Sequence, residues 1–84
     1  MMIKERLSKQ MNKNGYVIGC FDSRLNYISE YTFKKIVNAM FYGSCDIPIT
    51  IHKEKFILEV NHVDDEIDFS IISKKDYHDR YGEQ

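Results

Sequence analysis

The sequence predicts a two-layer α+β domain. Its antiparallel sheet has four to five strands ending in a three-strand meander, a central helix over residues 33–42 packs on one face, and a second helix lies at the N-terminus. Three observations carry this reading. Phe33, Ile36, Val37, Met40 and Phe41 recur at i, i+3, i+4, i+7 and i+8, which gathers all five on one helical face. Beyond residue 46 the period changes to two, with Ile47, Ile49 and Ile51, then Phe56, Leu58 and Val60, then Ile67, Phe69 and Ile71 each alternating with other residues. The 84 residues contain no repeat, linker or low-complexity stretch, so they form a single domain spanning 1–84.

A chain of this size buries about 60–65% of the surface its unfolded form exposes. Eleven Ile, six Tyr and five Phe within a 43% hydrophobic composition suffice for one core and exclude a disordered tail. In order, Ile3, Leu7 and Met11 mark a narrow apolar stripe on a basic helix that stops before Asn14-Gly15. Three such residues anchor it modestly. YVIGCF (16–21) reads as a strand, Asp22-Ser23-Arg24 as a turn, and LNYISEY (25–31) as a returning strand. Thr32 is the expected cap of helix 33–42, with Tyr31 and Ile36 as its hydrophobic staple and Gly43 at its C′ position. His52 to Lys55 is short enough for a hairpin, and 61–66 makes the next connection, so the last three strands form an antiparallel meander. Pro48 suits an edge or a strand entry. Ser73 and Asp76 have capping-box spacing ahead of Tyr77 and Tyr81, which suits a short final helix and a frayed tail equally.

Several chemistries fail on spacing. The run NHVDDEIDFS concentrates Asp64, Asp65, Glu66 and Asp68, yet an EF-hand loop begun at Asp64 would place Phe69 and Lys75 where Gly and Glu are required. Cys20, Cys45, His52, His62 and His78 show no paired zinc-ligand spacing, and His52-Lys53-Glu54 lacks the P-C-x-x-C that accompanies H-x-E in zinc deaminases. Neither phosphate-binding glycine motif is present. No cofactor, metal or catalytic residue is assigned. The small-nuclease alternative, in the manner of a toxin, would rest on His52, Lys53, Lys55 and Tyr27.

Charge is uneven. Residues 1–55 hold nine Lys/Arg against five Asp/Glu, and residues 56–84 three against eight, which implies a dipolar surface. The two cysteines form no disulfide framework, and no signal peptide or membrane-length apolar run occurs, so the expectation is a cytoplasmic protein with reduced thiols and no membrane partner.

The favoured reading is a non-enzymatic protein-interaction or regulatory module. The Ile-, Lys-, Asn- and Tyr-rich composition suits an inhibitor or regulator from a phage, prophage or other mobile element. Its expected partner-binding residues are Asp64, Asp65, Glu66 and Asp68 on an acidic rim and Lys4, Arg6, Lys9 and Lys13 on the basic first helix. A protein partner comes first, and a homodimer through a sheet edge or the tyrosine-bearing C-terminus is one form of it. The runner-up is a small nucleic-acid-binding regulator using the basic helix with Lys34 and Lys35. Against it stands a pI of about 6.3, since dedicated binders commonly exceed about 9.

Overall fold

A computed structural model describes residues 2–82 of the chain. The elements run α1 (Ile3–Asn12), β1 (Val17–Ile18), a 3-10 helix (Ser23–Tyr27), α2 (Glu30–Ala39), β2 (Cys45–Ile51), β3 (Glu54–Val63), β4 (Glu66–Ser73) and α3 (Lys74–Tyr81). The sheet order is β1-β4-β3-β2. The α+β class, the two helices and the C-terminal meander stand as the sequence predicts.

The meander owes its register to two tight turns. Ile51 pairs with Glu54 across His52-Lys53, and Val63 pairs with Glu66 across Asp64-Asp65. Alternation then turns Ile47, Ile49, Ile51, Leu58, Val60, Ile67, Phe69 and Ile71 into one core. Pro48 pairs with Ile57 in the strand with no outer neighbour. Lacking an N–H, Pro48 belongs to a non-hydrogen-bonded pair, so the free edge of β2 offers donors at Asp46 and Thr50 with a gap between them.

The sheet is mixed, because β1 runs parallel to β4 rather than antiparallel to a neighbour. Val17 N–H donates to Asp65 O at 2.9 Å, Gly19 N–H to Ile67 O at 3.0 Å, and Phe69 N–H to Cys20 O at 2.8 Å. Regular pairing covers two residues where the sequence suggested six.

The expected returning strand 25–31 is not a strand. The Asp22 carboxylate accepts the Arg24 N–H at 2.9 Å and nucleates the 3-10 turn instead. Leu25 and Ile28, three apart, are buried while Tyr27 between them is 64% exposed, which is a helical and not a two-residue period. Helix α2 also begins earlier than expected. Ser29, not Thr32, is its cap, with Ser29 Oγ accepting the Thr32 N–H at 3.2 Å. Ile28 and Phe33 take the staple positions, both buried, and Tyr31 is left in solvent. The helix ends at Ala39 with Met40 as C-cap, so Gly43, at φ 96°, serves the turn into β2 rather than the helix cap.

Helices α1 and α2 share the core face of the sheet. Arg6 in α1 donates twice to the Glu30 carboxylate at the start of α2, at 3.0 and 2.7 Å, and stacks over the Phe33 ring at 4.0 Å. Beyond the other ends, the Tyr16 and Phe41 rings meet at 5.8 Å. The two helices therefore lie side by side and point the same way. Helix α1 is anchored more firmly than three stripe residues imply, since Leu7 and Met11 have no exposed surface.

The last helix forms, with Ser73 Oγ accepting the Asp76 N–H at 3.0 Å. It buries no side chain and sits on the opposite sheet face, where Tyr77 donates to Asp46 at 2.9 Å and Tyr81 to Glu59 at 3.1 Å, with Arg80 3.5 Å from Glu59. Asp46 and Glu59 are direct cross-strand partners. These donors offset a like-charge pair that would otherwise destabilise the sheet, and the carboxylate at Asp46 raises the Tyr77 phenol pKa.

Ile36 and Leu7 test the two helices separately. Ile36→Ala is expected to cost about 2–5 kcal/mol in urea unfolding. Leu7→Ala is expected to fall in that same range of about 2–5 kcal/mol, and a loss below about 1 kcal/mol would mean that α1 is not part of the cooperative core.

Candidate functional site

The acidic residues of the opening motif do separate jobs. Asp64 and Asp65 are exposed at the β3–β4 turn, where Asp64 adopts φ 56°, a left-handed conformation that Asp tolerates better than most residues. Asp68 is half-buried, and its Oδ1 accepts the Cys20 N–H at 3.0 Å, taking the place of a ladder bond where β1 peels away. Glu66 is exposed beside it. A β-carbon at Gly19 would collide with Asp68 Oδ1 and stand 2.6 Å from Glu66 Oε1, so glycine is what lets both carboxylates lie over this backbone. Of the four expected contact residues, Asp68 is thus occupied in holding β1. Among the described residues no three His, Cys, Asp or Glu side chains gather as a metal site.

The basic residues also divide. Arg6 is engaged with Glu30 and Phe33 and is a tie between helices rather than a free contact. Lys4 lies over the Phe21 ring at 5.7 Å. Lys9 and Lys13, at i+3 and i+7 from Arg6, fall on the flank that Arg6 turns toward α2, and both are exposed. Lys34, one turn after Glu30, lies on the corresponding flank of α2. The three arginines are all held in internal ion pairs, Arg6–Glu30, Arg24–Asp22 and Arg80–Glu59. Hydrogen bonds from the arginines hold the Glu30 and Asp22 carboxyls below the usual range, so these pairs add stability above that range and lose it as the pH falls through the lowered values. Lysines are the cations left for a partner.

Folding converts the charge asymmetry of the sequence into a spatial one. The segment that builds the helical layer, residues 2–44, carries seven Lys/Arg against three Asp/Glu, while residues 45–82 carry five against nine. Glu83, counted earlier in the acidic half, lies outside the described residues. Asp46, Lys55, Glu59, Glu66 and Asp68 alternate with the core and therefore face away from α1 and α2, whereas Glu54, opposite buried Ile51, is on the helical side at the turn. The sheet separates a cationic layer from an acidic one.

Tyrosines accompany the lysines. Tyr31 is 73% exposed in the first turn of α2, and Lys35 reaches over its ring at 5.6 Å. Tyr42, past the end of the helix, is 85% exposed. Tyr27, two residues before the Ser29 cap, packs against His52 at the β2–β3 turn, with ring centroids 5.2 Å apart. That turn has His52 at φ 51° and Lys53 at φ 69°. Two-residue turns of this hand strongly favour Asn-Gly, and a side chain in the left-handed region costs about 1–2 kcal/mol. The pair His52 and Tyr27, nominated for a nuclease, does come together, but as packed rings. Among the described residues His52 forms no ion pair with a carboxylate.

Sequence reasoning nominated Tyr27 only for a nuclease and missed Tyr31 as a surface residue, because it assigned Tyr31 to a strand and to a hydrophobic staple. Extending the helical wheel back to Glu30 would have put Tyr31 opposite Phe33 and Ile36. Of the other residues considered for chemistry, Cys20 is exposed and Cys45 half-buried, both as free thiols, and burial pushes the Cys45 thiol pKa up. His62 is edge-on to Tyr16, with its Nε2 enclosed and unpaired. An open cleft of about 280 Å³ lies on the α3 side, with Lys55 and Lys74 over Pro48 and Ile57.

These features define a small α+β domain with one cationic, tyrosine-bearing helical layer. The chain matches no protein-family model, and searches of curated proteins and of solved structures gave no match.

Gly19 and Asp68 give a direct test of the β1 tether. Gly19→Ala is expected to destabilise the fold by about 1–3 kcal/mol, and Asp68→Ala by a similar amount of about 1–3 kcal/mol through the unpaired Cys20 N–H. Both are read by urea unfolding. The double variant should cost less than the two single losses combined, because either change removes the same contact.

Proposed function

We propose that this protein is a non-enzymatic docking module that engages an acidic macromolecular partner through its helical layer. The observation that carries the reading is the charge separation across the sheet, with Lys9, Lys13, Lys34 and Lys35 exposed on the side that also exposes Tyr31. A net charge of −1 and a slightly acidic pI then lose their force against an anionic partner, because the acids lie mainly on the other side. Such a layer orients and accelerates association more than it adds affinity, and salt weakens it. Interfaces favour tyrosine as an anchor, while the lysines provide the field. The role fits a regulator or inhibitor of the kind carried by phages, prophages and mobile elements. Two free thiols suit the cytoplasm, and among the described residues no helix is long and apolar enough to cross a membrane.

The test is capture of partners from a lysate, with release measured against salt. Lys9→Glu, Lys13→Glu and Lys34→Glu together should weaken capture about tenfold or more, whereas Asp64→Lys with Asp65→Lys should leave it intact. The opposite pattern would transfer the function to the acidic turn and overturn the reading. RNA incubated with the protein should remain whole. Cleavage abolished by His52→Ala would make it an enzyme after all.

A further inference from the structure

Resting on the helical layer as the docking surface, we infer that its partner is a single-stranded nucleic acid, gripped where the β2–β3 turn meets the start of α2. The observations converge on one end of the molecule. Strand β2 leads away from the C-terminal end of α2 and finishes at Ile51, which puts His52 of the turn beside Tyr27, just ahead of the first turn of α2. There the Tyr27 and His52 rings are in contact at 5.2 Å, with Tyr27 64% and Tyr31 73% exposed. Lys53, exposed on the turn, and Lys35, over the Tyr31 ring, supply cations.

Flat, solvent-facing rings interleaved with lysines match unstacked bases on a phosphate backbone. A duplex hides its base faces and offers such rings nothing to stack on. Arg6 and Arg24 are both closed in ion pairs with Glu30 and Asp22, so the cations open to a ligand at this end are lysines. The nearby acids are these two engaged carboxylates and the exposed Glu54, which follows the turn. The turn itself adds the independent argument. His52 and Lys53 both occupy left-handed backbone at φ 51° and 69°, where Asn and Gly would be relaxed. Strain held by an imidazole and an ammonium at an exposed tip is accounted for if those side chains meet a ligand.

The experiment compares fluorescence anisotropy of labelled oligo(dT) and oligo(rU) with that of a labelled duplex and of labelled poly-glutamate. The wild-type protein should bind the single strands about tenfold or more tighter than either other polyanion, with affinity falling as salt rises. His52→Asn, and His52→Asn with Lys53→Gly, should raise the urea midpoint by relieving the turn while weakening single-strand binding about tenfold. Tyr27→Leu should weaken it similarly. Since the turn variants are expected to be more stable than the parent, lost binding cannot be ascribed to misfolding. Unchanged single-strand affinity in these variants would overturn the inference, as would equal wild-type affinity for duplex or poly-glutamate, and either result would leave the helical layer as a docking surface. Absence of binding to all four probes would overturn the inference and remove the anionic partner with it.

Discussion

Strand β4 pairs with β3 at Leu58↔Ile71, Val60↔Phe69 and His62↔Ile67, and nearly every other feature of this molecule follows from that register. It points Ile67, Phe69 and Ile71 into the core and, by the same alternation, turns Glu66 and Asp68 outward. Asp68 is then placed to take the Cys20 N–H, and the other edge of β4 is free to accept β1 in parallel. A slip of one residue would bury two carboxylates and expose three large apolar side chains, so the register has no close competitor.

The same alternation explains how a nearly neutral chain presents two differently charged sides. Most polar strand residues occupy the face that α1 and α2 leave open, with His62 and Glu54 among the exceptions at the margins of the core side. Helix α3 joins them there, supplying Tyr77, Tyr81 and Arg80 as donors to Asp46 and Glu59. Arginines close the internal contacts and lysines remain outside them. Cohesion and surface field are therefore carried by different residue types.

Much of this was legible in the residues themselves. Three runs of period two and one run of period 3.6 were long enough to outvote local ambiguity, so the meander and α2 could be read directly. The segment 25–31 could not, because Leu25, Tyr27 and Ile28 satisfy both a short strand and a 3-10 turn. The deciding factor was the Asp22 side chain bonding the Arg24 backbone. Parallel pairing of β1 with β4 joins residues far apart in the chain and leaves no periodic trace. For the surface, the sequence showed which acids and bases exist but not which of them were already engaged. Asp68 and Arg6 looked as available as Asp64 and Lys9 until Gly19, Cys20 and Glu30 were seen beside them.

Pro48 carries a consequence for the protein at high concentration. Strand β2 lies at the margin of the sheet and repeats isoleucine at 47, 49 and 51, a pattern that suits cross-β stacking of identical chains. Growth of that kind needs an unbroken row of donors and acceptors along the exposed margin. The imide nitrogen at Pro48 interrupts the row at its centre, so a second copy arriving strand to strand finds no continuous ladder to complete. One residue without a hydrogen to donate thus protects an isoleucine-rich margin from fibril growth, and it does so without altering a single core contact.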